Sequence, residues 1–250
     1  MIEFAGIRSD EKYVVVEHYP RRMIPKRKYM VQAIPGRSGD LYIDEAEDAF
    51  ENYDDTYTVF LDAKAPGLQE VSRGLAEWLL SPVGYQRLED SYDPDTYRMA
   101  VYTGGEEFIN IFNEYGRGSL KFNCAPKRFY KSGEKWIAVA NNVPIYSPSQ
   151  FKSHPIVRIT CPSEANLYSV QINVTDLKTG ALSSFTMTAA GTVVIDTERK
   201  TATRLNVSAS NYNSNVTSAY EALYLPNQFK ITWSSANVSA VSIIPRWWTL

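Results

Sequence analysis

Residues Leu88 to Arg98 read LEDSYDPDTYR, and this stretch sets the character of the chain. Asp93-Pro94-Asp95 is a turn: proline fixes φ, and short carboxylate side chains accept hydrogen bonds from nearby backbone N–H groups. The turn opens into the run from Tyr97 to Val101, which reads as a strand. Stiff turns and short strands recur on both sides. Upstream, the run from Tyr29 to Ile34 closes on Pro35-Gly36-Arg37-Ser38-Gly39-Asp40. Tyr13 to Val16 is a β-branched strand, and Thr56 to Leu61 alternates as a half-buried strand does. Downstream, Ser119 to Cys124 completes the first-half set.

One segment breaks the β pattern. Leu68, Val71, Leu75, Trp78 and Leu79 recur at steps of three and four, which predicts a helix over 68–80 with Glu70, Arg73 and Glu77 facing out. Ser81-Pro82 ends it, because proline cannot continue a helix. The second half carries no helical period. Strands are expected at 156–159, 170–174, 192–196, 229–233 and 238–244, with turns at Asp176–Gly180 and Ala190-Gly191. Short strands at this spacing predict a β-sandwich.

Charge divides the chain of 250 residues. Residues 1–133 hold 17 basic and 22 acidic side chains, and 134–250 hold 9 and 6. That shift predicts two domains, 1–133 and 134–250, joined at the polar, Gly-bearing Lys131-Ser132-Gly133-Glu134. A net charge of −2 argues against a chain built to bind polyanions. The opening Met-Ile-Glu-Phe-Ala-Gly-Ile has no basic segment or long apolar core, so no signal peptide is expected, and no run is long enough to span a bilayer. Two cysteines, Cys124 and Cys161, do not make a disulfide framework and read as buried thiols. The sequons at Asn173, Asn206, Asn215 and Asn237 read as polar β-surface.

The chemistry of a catalyst is thin. His18 and His154 are the only histidines, and no HExxH, CxxC, GxSxG or phosphate-binding loop occurs. Asp90, Asp93 and Asp95 are the best candidates for Ca²⁺, but they lack the central Gly and closing Glu of an EF-hand, so a turn is the simpler reading. The acidic run Asp44, Glu45, Glu47, Asp48, Glu51, Asp54, Asp55 reads as a solvated loop rather than a pair of glycosidase carboxylates. No cofactor and no enzyme are expected. Arg21, Arg22, Lys26, Arg27 and Lys28 form a basic arm. It is either an independent solvated loop or the partner of a neighbouring subunit's acidic patch in a ring-closing contact. The terminal Pro245-Arg246-Trp247-Trp248-Thr249-Leu250 is too apolar to be left free; it reads as a last strand docked on a core, beneath Trp233, or as a partner-binding patch.

The order of phrases resembles the distal tail protein family of siphovirus-type bacteriophages. The phrases are Phe4-Ala5-Gly6-Ile7, the basic arm, IPGR-x-G at 34–39, the helix ending Trp78-Leu79-Leu80, and Gly84-Tyr85-Gln86-Arg87-Leu88. DPD-x-Y-R, Phe122-Asn123-Cys124-Ala125-Pro126-Lys127-Arg128 and PRWW-x-L follow. The resemblance spans nearly the whole chain in a short form, without inserted carbohydrate-binding modules. It implies a mainly β protein: an N-terminal, tail-tube-like β domain with one α-helix, then a C-terminal galectin-like β-sandwich. It implies a virion protein of the tail tip, assembled in the host bacterial cytoplasm. Its homohexameric ring would join the tail tube protein to the tail-associated fibre or lysin protein and, in some phages, to receptor-binding proteins. DNA would be a partner only in transit through the channel. The acidic segment Asp44–Asp55 is a candidate lining that would repel phosphates, and the sequence does not decide which face it takes. Candidate interface residues are Arg27, Lys28, Arg37, Asp54, Asp55, Asp93, Asp95 and Arg98, with Arg37 and Arg98 expected to pair with carboxylates such as Asp93 or Asp95. The galectin sugar phrase is not matched: His154-Pro155-Ile156-Val157-Arg158 departs from it, and Trp233 is followed by Ser234. The alternative function is a carbohydrate-binding adhesion module of β-sandwich type.

Overall fold

A computed structural model describes residues 1–20, 23–44, 46, 49–64, 67–104, 109–111, 114–205 and 210–250. Arg21 and Arg22 of the basic arm, Glu45, Glu47 and Asp48 of the acidic run, and the sequon Asn206 lie outside the described residues. The protein is mainly β, and the chain divides into two compact units, Met1–Arg128 with Leu250, and Phe129–Thr249.

The first unit contains β1 (Ile2–Phe4), β2 (Ile7–Arg8), β3 (Val14–His18), β4 (Tyr29–Ala33), β5 (Asp40–Asp44) and β6 (Tyr53–Asp62). It continues through α1 (Leu68–Leu80), β7 (Gln86–Asp90), β8 (Thr96–Tyr102), β9 (Ile109–Ile111) and most of β10 (Tyr115–Tyr130). A sheet in the order β2-β1-β7-β8-β10-β6-β3 forms its frame, and β9 adds to β10. Neighbours run antiparallel, and β6 pairs with β10 from Tyr53–Cys124 to Asp62–Tyr115. Period two sends Tyr53, Asp55, Tyr57, Val59 and Leu61 of β6 inward. The helix falls where its period put it. Val71, Leu75, Trp78 and Leu79 are buried on the sheet, and the Trp78 indole N–H donates to the Phe4 carbonyl at 3.0 Å. Gly67 precedes the helix at φ 85°, a left-handed entry that favours glycine.

β4 and β5 stand apart as a two-stranded hairpin. Every one of their residues is exposed. The sequence predicted β4, but Asp44 was read as part of an acidic loop; it lies instead on β5, opposite Tyr29.

The second unit contains β11 (Ile137–Val139), β12 (Pro144–Tyr146), β13 (Ile156–Thr160), β14 (Tyr168–Asp176), β15 (Leu182–Ala189) and β16 (Thr192–Asp196). Then follow β17 (Thr201–Arg204), β18 (Ser210–Asn211), β19 (Gln228–Trp233), β20 (Ala240–Ile244) and β21 (Trp248–Thr249). Two antiparallel sheets, β11-β20-β13-β16-β17-β18 and β12-β19-β14-β15, contribute inward rows to one core. Val157, Ile159, Val193 and Ile195 come from the first sheet; Val170, Ile172, Phe185, Phe229 and Ile231 come from the second. That is a sandwich. The turn at Asp176–Gly180 forms as its sequence requires: Gly180 N–H donates to the Asp176 carbonyl at 2.8 Å, and the Asp176 carboxylate accepts from the Lys178 amide.

The terminal tryptophans are core. Trp248 stacks on Phe151 with ring centroids 4.3 Å apart, and its indole N–H donates to the Lys152 carbonyl at 2.9 Å. The expected partner was Trp233; Phe151 takes that place, because the chain end runs beside the 149–152 segment. Arg246 turns the chain at φ 53° and is held there by paired hydrogen bonds to Asp196, both 2.8 Å.

Candidate functional site

Two features of the first unit carry the candidate residues: an exposed arm and a buried charge network. The arm begins where the basic segment meets the end of the acidic one. Lys28 N–H donates to the Ala49 carbonyl, Glu51 N–H donates to the Lys26 carbonyl, and Arg27 stacks its guanidinium over Phe50 at 5.0 Å. The two segments read as separate loops in sequence are therefore one β-bridge in a single chain. Lys28 itself stays exposed at the base of the hairpin.

Cross-strand pairs place Met30 against Ile43 and Gln32 against Leu41 on one hairpin face. The other face carries Tyr29, Val31 and Tyr42, with the two tyrosine rings edge to face at 5.5 Å. Met30 is 60% and Tyr42 61% exposed. At the tip, Arg37 N–H closes the turn onto the Ile34 carbonyl at 3.2 Å, and the Arg37 side chain is exposed. A hairpin of two strands is marginal in water by itself. One with apolar side chains on both faces gains stability only when something covers it.

The second feature centres on Arg98, which is 3% exposed. Its Nε lies 3.0 Å from Asp55 Oδ2, and its terminal nitrogen lies 2.8 Å from Asp90 Oδ2. The same nitrogen donates to the Tyr57 hydroxyl, which in turn donates to Asp90 at 2.9 Å. Arg128 approaches Asp55 at 3.6 Å and Asp93 at 4.0 Å. Cys124 points its thiol at Asp55 from 3.8 Å.

The environment separates the two carboxylates. Burial raises Asp55 above the usual carboxylate range and outweighs the attraction of Arg98 and Arg128. Burial also pushes Asp90 upward. There Arg98, the Asp93 amide and the Tyr57 hydroxyl together hold the carboxyl below its ordinary value. The Cys124 thiol is pushed up to about 12 by burial and by Asp55, so it is not a nucleophile at neutral pH.

This geometry corrects two readings of the sequence. Arg98 pairs with Asp55 and Asp90 rather than with Asp93 or Asp95. Asp55 belongs to no solvated loop: it is 0% exposed on β6. The period that reveals this was present in the sequence, since Tyr53, Asp55 and Tyr57 share the parity of Val59 and Leu61. Thr96, Arg98 and Ala100 on β8 share one inward row, and Leu120, Phe122, Cys124 and Arg128 share another on β10. Sequence reasoning assigned no role to Arg128 or Tyr57.

The remaining candidates are peripheral. Asp54 is exposed, pairs with Lys121 at 2.9 Å and accepts from Asn123. Asp93 accepts from the Thr96 hydroxyl at 2.8 Å, and Asp95 is exposed. Asp90 rather than Asp93 caps the turn, its Oδ1 accepting from the amides of Tyr92 and Asp93. Among the described residues no group of three His, Cys, Asp or Glu is placed to hold a metal ion, and no helix is long and apolar enough to cross a membrane.

No protein-family model matches the sequence, and no curated protein matches it significantly. The fold is more informative. It is that of the distal tail, or Dit, proteins: β throughout, with one helix on the sheet of the first unit and a sandwich in the second. The chain is similar to the Dit protein (gp 19.1) of phage SPP1, described as a paradigm of the hub adsorption apparatus in phages infecting Gram-positive bacteria. The match has a TM-score of 0.74 and covers 97% of this chain and 96% of that one, at 10% sequence identity.

Proposed function

We propose that this chain is a distal tail protein, the structural hub of a phage tail tip, and that it works as a homohexameric ring. The ring joins the tail tube protein to the tail-associated fibre or lysin protein, leaves a channel for DNA, and is a virion component assembled in the host cytoplasm. Residues 1–133 close the ring; residues 134–250 are the galectin-like domain. The shared fold supports the hub role, and the observation that carries the ring is the β4–β5 hairpin. Its two apolar faces need a cover, and the same surface on every copy needs the same cover. A heterologous contact, each hairpin laid on the next copy, meets that need and closes on itself. Arg27, Lys28 and Arg37 on the arm then face acidic residues of the neighbour, for which the exposed Asp54 and Asp95 and the half-buried Asp93 are the candidates. Asp55 and Arg98, buried in the single chain, stiffen the body on which the neighbour's arm rests.

Light scattering after size exclusion tests this. Six copies of a 28.3 kDa chain weigh about 170 kDa. A ring of that mass is expected. Replacing Met30, Leu41 and Ile43 together by serine should lower the mass toward the monomer and leave the melting of the body unchanged. A wild-type chain that stays monomeric at high concentration and beside its tube partner would overturn the ring. A ring that survives the triple serine variant would remove the hairpin from its closure.

A further inference from the structure

The smaller sheet of the sandwich, β12-β19-β14-β15, leaves one face open. Its register sets Pro144, Lys230, Thr175 and Leu182 side by side across the four strands. Phe229, Ile231 and Val174, their neighbours along the strands, belong to the core, so period two turns this row outward. Tyr146 and Gln228 form the next outward pair, and Leu177 continues it, its amide donating to the Gln228 carbonyl at 2.9 Å. Tyr146 and Leu182 are each 65% exposed.

Charge is nearly absent from these strands. They hold two charged residues, Asp176 and Lys230, in a chain that is 22% charged. Asp176 is engaged in its own turn, accepting from the Lys178 amide and the Thr179 hydroxyl, both at 2.8 Å. Farther along the face, Gln171 and Ser184 both donate to Asn173, at 3.1 and 2.6 Å. Lys230 differs. It is half-buried, yet among the described residues its ammonium has neither an ion pair nor a hydrogen bond, and its Nζ keeps access to solvent. The edges of the sheet do not invite an added strand. Pro144 blunts β12, and β15 is already bridged at its outer edge, with Met187 opposite Val216 and the Thr217 amide donating to the Thr186 carbonyl at 3.1 Å.

We propose that this end of the sheet face docks a polypeptide partner through a carboxylate side chain flanked by apolar residues. The carboxylate pairs with Lys230, and the flanking groups cover Pro144, Tyr146, Leu177 and Leu182. Interface cores have this composition, poor in charge and bearing tyrosine. One cation does not suit a polyanion, which is held by many. A purely apolar segment laid here would strand the ammonium away from water without a partner, which is costly. An acidic group set among apolar ones meets both conditions. The surface lies wholly within the second unit, and it does not depend on ring closure.

A random dodecapeptide display library panned on the full chain, with Lys230→Gln as the counter-target, tests this. The wild-type chain should enrich peptides that carry Asp or Glu with apolar residues on both sides, and Lys230→Gln should not. The best synthetic peptide, titrated by calorimetry, should bind about fivefold more tightly than its carboxamide counterpart. Lys230→Gln should erase that preference and Lys230→Arg should keep it, as a double-mutant cycle reads directly. Tyr146→Ala should weaken binding about tenfold through loss of the ring contact. All three variants should melt as the wild type does, because each alters a side chain outside the core. Bound peptide should slow hydrogen exchange in β12 and β19. The proposal is overturned if no peptide prefers the wild type over Lys230→Gln, or if the enriched peptides lack a carboxylate. A carboxylate preference that survives Lys230→Gln, or protection confined to other strands, overturns it as well. Light scattering reads the ring separately, so failure of this surface leaves the ring intact, and failure of the ring leaves this surface intact.

Discussion

Arg98→Ala is the sharpest probe of the first unit. The side chain contacts Asp55 and Asp90 at 3.0 and 2.8 Å and is only 3% exposed. Its removal strands two buried carboxylates, with only Arg128 nearby, 3.6 Å from Asp55. Breaking a buried pair in this way costs about 3–5 kcal/mol. That is a large part of the roughly 5–15 kcal/mol that holds a domain together. The loss should depend on pH, and its sign follows from linkage. With the guanidinium in place Asp55 already lies above the ordinary carboxylate value of about 3.9 and Asp90 below it; removing the guanidinium moves both upward. The folded variant then holds protons that the unfolded chain releases. Its stability therefore rises as pH falls through the raised folded values toward about 4, and the gap to wild type narrows. Because the chain has two units, one global unfolding free energy is not well defined. Urea unfolding read by hydrogen exchange and mass spectrometry resolves peptides of each unit. Peptides from β7 and β8 should lose protection by the amount above at pH 7, those from β14 should not, and Arg98→Lys should fall between. A loss below about 1 kcal/mol, or one that is flat from pH 7 to pH 4.5, would refute the view that this network is held by charge.

Three further outcomes follow in the second unit. A Cβ added at Gly133 would sit 2.7 Å from the Trp247 backbone nitrogen, which cannot swing away, so Gly133→Ala should cost about 1–3 kcal/mol by overpacking; unchanged melting of this unit would count against the close approach. Trp248→Ala removes a buried ring stacked on Phe151 and should cost about 3–5 kcal/mol, read by urea denaturation; a cost under about 1 kcal/mol would mean that the chain end is not core. Burial pushes Asp196 upward, but the Arg246 fork and the Arg199 amide hold it below the ordinary carboxylate value. Its contribution is therefore complete above about pH 3.9 and is lost as pH falls through the folded value. The melting difference between wild type and Asp196→Asn should shrink across that window, and a difference that persists below it would point to geometry rather than charge.

Much of this was legible in the residues. The helix at 68–80 follows from apolar spacing and from Pro82, because a helix needs only local chemistry to be recognised. The strands through Tyr57, Arg98, Leu120, Ile172 and Ile231 follow from period two and β-branched or aromatic content. Turns such as Asp176–Gly180 follow from side chains that cap their own backbone. The order of phrases along the chain pointed to the distal tail fold, which the structure shares with SPP1 Dit even though only 10% of positions agree. Packing tolerates such replacement so long as inward rows stay apolar and turns stay stiff.

What the residues alone did not decide is which charges meet. Asp55 and Asp54 look alike in a run of acids; one side of a strand buries the first at 0% exposure, and the other leaves the second to Lys121. Arg98 stands five residues from Asp93 in sequence. It pairs instead with Asp55 and Asp90, because β8 lies between β7 and β10, and β10 carries β6 on its far edge. Arg128 comes to the same place from the end of β10. Long-range strand order has no local signature, since any inward row can pair with any other of matching length. The sequence by itself determined the elements and the stiff points between them; only the tertiary structure decided that buried charges gather at one end of the first sheet while an apolar hairpin stands uncovered.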